Sequence, residues 1–139
     1  MIQRIQSIWI LAATACTLLT IKFPFYSGNL LPLDQEGTFV ELTAKSNIVL
    51  LLFAIVIATK CLFILFLYKN RGLQLALTIG ATAFSILFIL VFTLEMKNYV
   101  NGNLSLTATI AFAIPVFLFL AARGIWKDKQ LLKNSDRLR

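Results

Sequence analysis

The stretch Asn47-Ile-Val-Leu-Leu-Leu-Phe-Ala-Ile-Val-Ile-Ala-Thr-Lys-Cys-Leu-Phe-Ile-Leu-Phe-Leu-Tyr68 decides the fold. It carries one charge, Lys60, and neither glycine nor proline. At 1.5 Å of rise per helical residue it spans a ~30 Å hydrocarbon layer, which takes about 20 residues. After only Lys69-Asn70-Arg71-Gly72, a second such run follows from Leu73 to Leu94. A connection this short makes the two runs antiparallel neighbours in a helical hairpin.

Outward from this pair lie two more long apolar runs, Ile5 to Phe23 and Leu104 to Ala122. Every backbone amide in a bilayer core must bond within its own segment unless a closed barrel forms, and none of the four runs has the period-two alternation of barrel strands. The expected fold is therefore an all-α membrane protein, a four-helix up-down bundle. It forms one domain over residues 1–139, with spans at 5–23, 47–68, 73–94 and 104–122 and a basic tail at 123–139. An apolar content of 59% agrees, since soluble globular chains sit near 45–50%. The formal charge of +7 does not point to nucleic acid, because the basic residues flank apolar runs instead of gathering on one face.

The first run begins after Arg4 and leaves through Lys22-Phe-Pro-Phe-Tyr26 without a small-residue cleavage site, so it reads as a retained span and not a signal peptide. Orientation follows from the connections. Arg4, Lys69, Arg71, Arg123, Lys127, Lys129, Lys133, Arg137 and Arg139 fall on one side, against Lys22, Lys45 and Lys97 on the other. This places both termini and the Asn70 turn on the cytoplasmic side.

The first outer loop holds Asn29-Leu-Leu-Pro-Leu33 and Thr38-Phe-Val-Glu-Leu42 around Asp34-Gln-Glu-Gly37. Two short extended runs about a turn ending in glycine predict a short β-hairpin at the membrane surface, with Pro32 confining the first strand to an edge. The second outer loop, Glu95 to Asn103, contains Asn101-Gly102 and reads as a plain turn, with Asn103 or Ser105 placed to cap the last helix.

Three segments carry a family resemblance: Met1-Ile-Gln-Arg-Ile-Gln-Ser7, Phe66-Leu-Tyr-Lys-Asn-Arg-Gly-Leu-Gln74, and Lys127-Asp-Lys-Gln-Leu-Leu-Lys-Asn-Ser-Asp-Arg-Leu-Arg139. Over its whole length the chain resembles the domain of unknown function 4293 family, small four-span inner-membrane proteins of the Bacteroidota. Gly72, where a basic residue is usual, and Trp126 depart from the pattern. The resemblance implies topology and membrane, and it implies no activity.

Lys60 is the candidate functional residue. It lies about 12 Å from Tyr68 and about 20 Å from Asn47 along the helix. An ammonium at such a depth costs ~2.5–3.5 kcal/mol on insertion scales and marks a pathway or an interhelical pair, unless its stem carries it to the interface. Glu95 lies half a membrane away, so no second intramembrane charge completes a relay. Pro115 removes one helical amide bond and is expected to bend the fourth helix near Ala111.

Small residues four apart, Ala12 with Cys16 and Thr20, Ala54 with Ala58, and Ala76 with Gly80, are expected to let helices approach closely. The tail residues Arg123, Lys127, Lys129, Lys133, Arg137 and Arg139 are the candidate lipid or partner contacts. Their charge attracts anionic head groups of the inner leaflet at about 1 kcal/mol per residue. As a helix, the tail aligns Ile125 with Leu132 and flanks them with Leu131 and Leu138, a weakly amphipathic face to lie on the membrane or to dock on a membrane-protein partner or a second copy of the chain.

Cys16 and Cys61 lie in apolar runs and imply no disulfide, and the chain has no histidine, which removes the commonest general base and metal ligand. Asp34, Glu36 and Glu41 have no nucleophile or base in company, so no catalytic site, metal or cofactor is expected. The expected role is that of a non-catalytic inner-membrane protein, an accessory, assembly or scaffold subunit. The alternative is a small transporter or channel component centred on Lys60.

Overall fold

The computed structural model of the chain describes residues 2–30, 39–67 and 70–136, with side chains described for 5–29, 39–67, 70–99 and 102–131. Four helices dominate: α1 (Ile2–Lys22), α2 (Ile48–Phe66), α3 (Arg71–Glu95) and α4 (Ala108–Asp136). Each contains a window long and apolar enough to cross a membrane. α1 packs against α2 and α4, and α3 packs against the same two, so the four close into a ring.

Each helix buries one stripe at helical spacing. On α4 the stripe is Ala108, Ala111, Ile114, Leu118, Ala121 and Ile125; on α2 it is Leu50, Ala54, Ile57, Cys61 and Ile64. Ala54 and Ala58 do face inward, as their spacing implied. The α3 stripe is different: Thr78, Ala81 and Ser85 are buried, while Ala76 is exposed and a Cβ on Gly80 would meet no other helix within 4 Å. The small pair on α3 therefore points away from the other helices.

Polar groups in the stripes bond to their own helices. Thr14 donates to the Ile10 carbonyl at 2.9 Å, Thr17 to Ala13 at 2.7 Å, Thr78 to Gln74 at 2.7 Å and Ser85 to Thr82 at 2.7 Å. Such back-bonding removes the cost of burying a hydroxyl. α4 runs through Pro115 without interruption.

A small antiparallel sheet covers one end of the bundle. Its strands are β1 (Tyr26–Leu30), β2 (Phe39–Leu42) and β3 (Tyr99–Leu104), in the order β2-β1-β3. The expected hairpin is thus present, but its first strand begins at Tyr26 instead of Asn29 and is the central strand of the sheet, not an edge; the turn Asp34–Gly37 and Pro32 lie outside the described residues. Phe25 sets the register. Its ring is buried against Phe88 and Phe92, its N–H donates to Leu42 at 2.9 Å, and its carbonyl accepts from Ser105 at 2.9 Å.

The second outer loop is not a plain turn. After a 3₁₀ turn at Met96–Asn98 it supplies β3, which pairs Ser27 with Asn103 and Asn29 with Val100. Asn101 and Gly102 together oppose Gly28, a β-bulge. The Asn-Gly pair that reads as a turn in the sequence is spent on this bulge. Asn103 is a strand residue and does not cap α4, which starts at Ala108, its N–H donating to the Ser105 carbonyl at 2.9 Å. Gly102 packs directly under the Tyr26 ring, which would have to swing aside to admit a Cβ there.

Candidate functional site: the polar clamp and the basic end of α4

The end of the bundle opposite the sheet holds a buried ionic cluster. Asp128 of α4 is only 5% exposed, yet its Oδ2 accepts from Gln6 Nε2 of α1 at 2.7 Å and from Arg71 Nη1 of α3 at 2.9 Å. One carboxylate oxygen thereby ties three helices. The geometry depends on Gly124, one turn before Asp128 on the same face: a Cβ there would sit 2.8 Å from Gln6 Cγ, so its absence opens the way for the amide to reach Asp128. On the other flank, Gln74 Nε2 donates at 3.2 Å to the Ile64 carbonyl, which also accepts from the Leu67 N–H at the end of α2.

The sequence reading of the tail as a basic segment does not single out Asp128 and misses the cluster. A signal was there. The buried stripe of α4 advances by three or four residues, and its next step after Ile125 is Asp128. That the stripe continues past Ala122 shows packing beyond the expected span. α4 has 29 residues, about 43 Å at helical rise, against a hydrocarbon layer of ~30 Å.

Around this clamp the expected contact residues separate. Arg123, Lys127 and Lys129 are all exposed. Arg123 lies beside Trp126 on the α3 side, Lys127 lines a shallow hollow with Trp126, Gln130 and Leu131, and the Lys129 ammonium lies 3.9 Å from where a Cβ on Gly72 would be. Lys129 thus brings positive charge to the turn where Gly72 has none. Lys133 is on the helix with its side chain outside the described residues; Lys69, Arg137 and Arg139 lie outside them altogether. Ile125 is buried and Leu131 exposed, while Leu132 and Leu138 also fall outside the described side chains.

Lys60 is half-buried between α2 and α3. Its ammonium stands 3.6 Å from the centroid of the Phe84 ring, beside a hollow of about 310 Å³ lined by Thr59, Phe63 and Leu77. This is an interhelical cation–π pair on the flank of the bundle, and the residue lies neither on the bundle axis nor at an end.

At the sheet end Asn47 has two tasks. Its Oδ1 caps α2 by accepting from Val49 N–H at 2.8 Å, and its Nδ2 donates to Glu95 Oε1 at 2.6 Å. Asn98 holds the other carboxylate oxygen at 3.1 Å. Burial, and after it the negative charge of Glu95, raises the Tyr99 phenol above its ordinary range. Among the described residues no three metal-ligating side chains gather.

A closed ring of four long apolar helices, bonded across one end by a buried carboxylate and covered at the other by a small sheet, is the architecture of a polytopic α-helical membrane protein. Within that class the chain belongs to the family described as a domain of unknown function, DUF4293, which it matches over residues 2–138. No curated protein matches it.

Proposed function

We propose that the chain is a non-catalytic accessory, assembly or scaffold protein of a bacterial inner membrane, with both termini in the cytoplasm, that meets its partner through the basic end of α4. The observation that carries this reading is the clamp on Asp128. A tail serving only as a topology anchor needs no fixed position. Here Gln6 and Arg71 hold the extension of α4 against two other helices, with Lys127, Lys129 and Gln130 turned outward on a rigid support. Sites on rigid elements hold their geometry better than sites on loops.

The transporter reading draws less support. Lys60 pairs with Phe84 on the flank, and the interior between the helices is filled by Ile57, Ala81, Ile114 and Leu118.

A photocrosslinking residue placed at Lys127 or Gln130 in native membranes tests the proposal. A discrete protein adduct is expected from both positions, absent at the sheet-end control Ile48 and abolished by Lys127→Glu with Lys129→Glu. Adducts to lipid alone would overturn it.

A further inference from the structure

Between α3 and α4 the bundle leaves an open apolar groove of about 510 Å³, within the 300–1,000 Å³ range of small-molecule sites. Leu75, Ile79 and Ile86 form one wall and Phe119 the other, and Ala83 and Ala122 give it depth by having so little side chain. From Leu75 to Ile86 the groove covers eleven helical steps of α3, about 16 Å at helical rise. That matches one leaflet, half of a ~30 Å hydrocarbon layer.

The polar end of the groove is cationic. Arg123 and Trp126 form its mouth, and Lys127 and Gln130 line the adjoining hollow on the far side of Trp126. Arg71 is already engaged by Asp128, the only ion pair among the described residues, so Arg123 has no acidic partner there. An apolar channel one leaflet deep that ends in an indole and a guanidinium with no acidic partner among the described residues, with an ammonium in the adjoining hollow, is complementary to a phospholipid with an anionic head group. Arg binds phosphate through its planar fork, and basic pockets between membrane helices hold such head groups.

We propose that this groove is a specific site for an anionic phospholipid of the leaflet at the clamp end, one acyl chain lying between Ile79 and Phe119 and the phosphate at Arg123. The site rests on the membrane-embedded reading above, and it makes no use of a protein partner.

Trp126 is the natural probe. The chain has two tryptophans, so Trp9→Phe leaves Trp126 alone while keeping an aromatic ring against Phe117. The single-tryptophan protein, in vesicles of zwitterionic lipid, is titrated with bromine-labelled phosphatidylglycerol or bromine-labelled phosphatidylcholine. Half-maximal quenching is expected at a roughly fivefold lower fraction of the anionic lipid, the preference one basic residue confers on a facing head group. Arg123→Gln brings the two titrations together. Ala83→Leu with Ala122→Leu, which fills the groove without touching the charge, also abolishes the preference, whereas Lys22→Gln at the other end leaves it. Far-UV circular dichroism confirms that each variant is helical.

Equal titrations for the two lipids in the unmodified groove, or a preference that survives both Arg123→Gln and groove filling, would overturn the site. Such a result leaves the crosslinking test of the accessory role untouched, and a failed crosslinking test leaves this one untouched.

Discussion

Gln6 and Asp128 are 122 residues apart in sequence and joined by a 2.7 Å hydrogen bond in the fold. The same Asp128 oxygen takes Arg71, so the starts of α1 and α3 and the last turns of α4 share one acceptor. Removing the carboxylate strands both donors at once. Asp128→Ala should lower stability by about 1.5–3 kcal/mol, the range for hydrogen bonds to charged groups, and release the end of α4. Limited trypsin digestion should then cut after Lys127 and Lys129 well before any site in the spans. Asp128→Asn, which keeps an acceptor for Gln6, should fall between. Unchanged protection in Asp128→Ala would mean that the extension is held by its apolar stripe alone.

Lys60 gives two substitutions with opposite signs. Lys60→Leu gives up a cation–π pair of about 0.5–2 kcal/mol and relieves an insertion cost of ~2.5–3.5 kcal/mol. Membrane integration and helical content should hold or improve. Phe84→Leu keeps the charge and removes the ring, so resistance to detergent unfolding should drop. Loss of integration in Lys60→Leu would show that the charge is needed for the fold.

At the sheet end, Gly102→Ala places a methyl group inside the Tyr26 ring. The expected loss is about 1–3 kcal/mol, as for overpacking elsewhere. Adding Tyr26→Ser should restore part of it by vacating the space. Thermal unfolding of the two singles and the double reads the coupling, and strict additivity would contradict the contact.

The pH response is alkaline. Tyr99 is held above its ordinary pKa of about 10, so the fold favours the neutral phenol. Its contribution to stability is complete below the unfolded value and is lost as pH rises through the folded one. Ultraviolet titration should show a late-ionising tyrosine that disappears in Tyr99→Phe. In Glu95→Gln it should move part of the way back, because burial, the larger cause, remains. A titration unaltered by Tyr99→Phe would assign the late group elsewhere.

The topology proposed from the basic residues has a direct assay. If the basic asymmetry of nine to three orients the chain as proposed, a C-terminal fusion to green fluorescent protein should fluoresce and one to alkaline phosphatase should be inactive. An active phosphatase would reverse the orientation and move the groove and the clamp to the opposite leaflet.

The sequence by itself determined the four helices. Hydropathy is a sum over one contiguous window, and in hydrocarbon each backbone amide must bond within its own segment, so the 22-residue run from Asn47 to Tyr68, with Lys60 its one charge, admits one structure. It also indicated the hairpin of β1 and β2, whose strands are close in the chain. Tertiary structure decided the remainder. β3 exists because the free edge of β1, some 70 residues earlier, offers it partners; its own letters, with Asn101-Gly102, read as a turn. Ala76 and Gly80 turned outward because Thr78, Ala81 and Ser85 won the interior, a choice set by the neighbouring helices. Lys60 found Phe84, and Asp128 found Gln6 and Arg71, across separations that no local pattern encodes. Burying a charge requires partners at bonding distance, and distance between remote residues is fixed only when the helices pack.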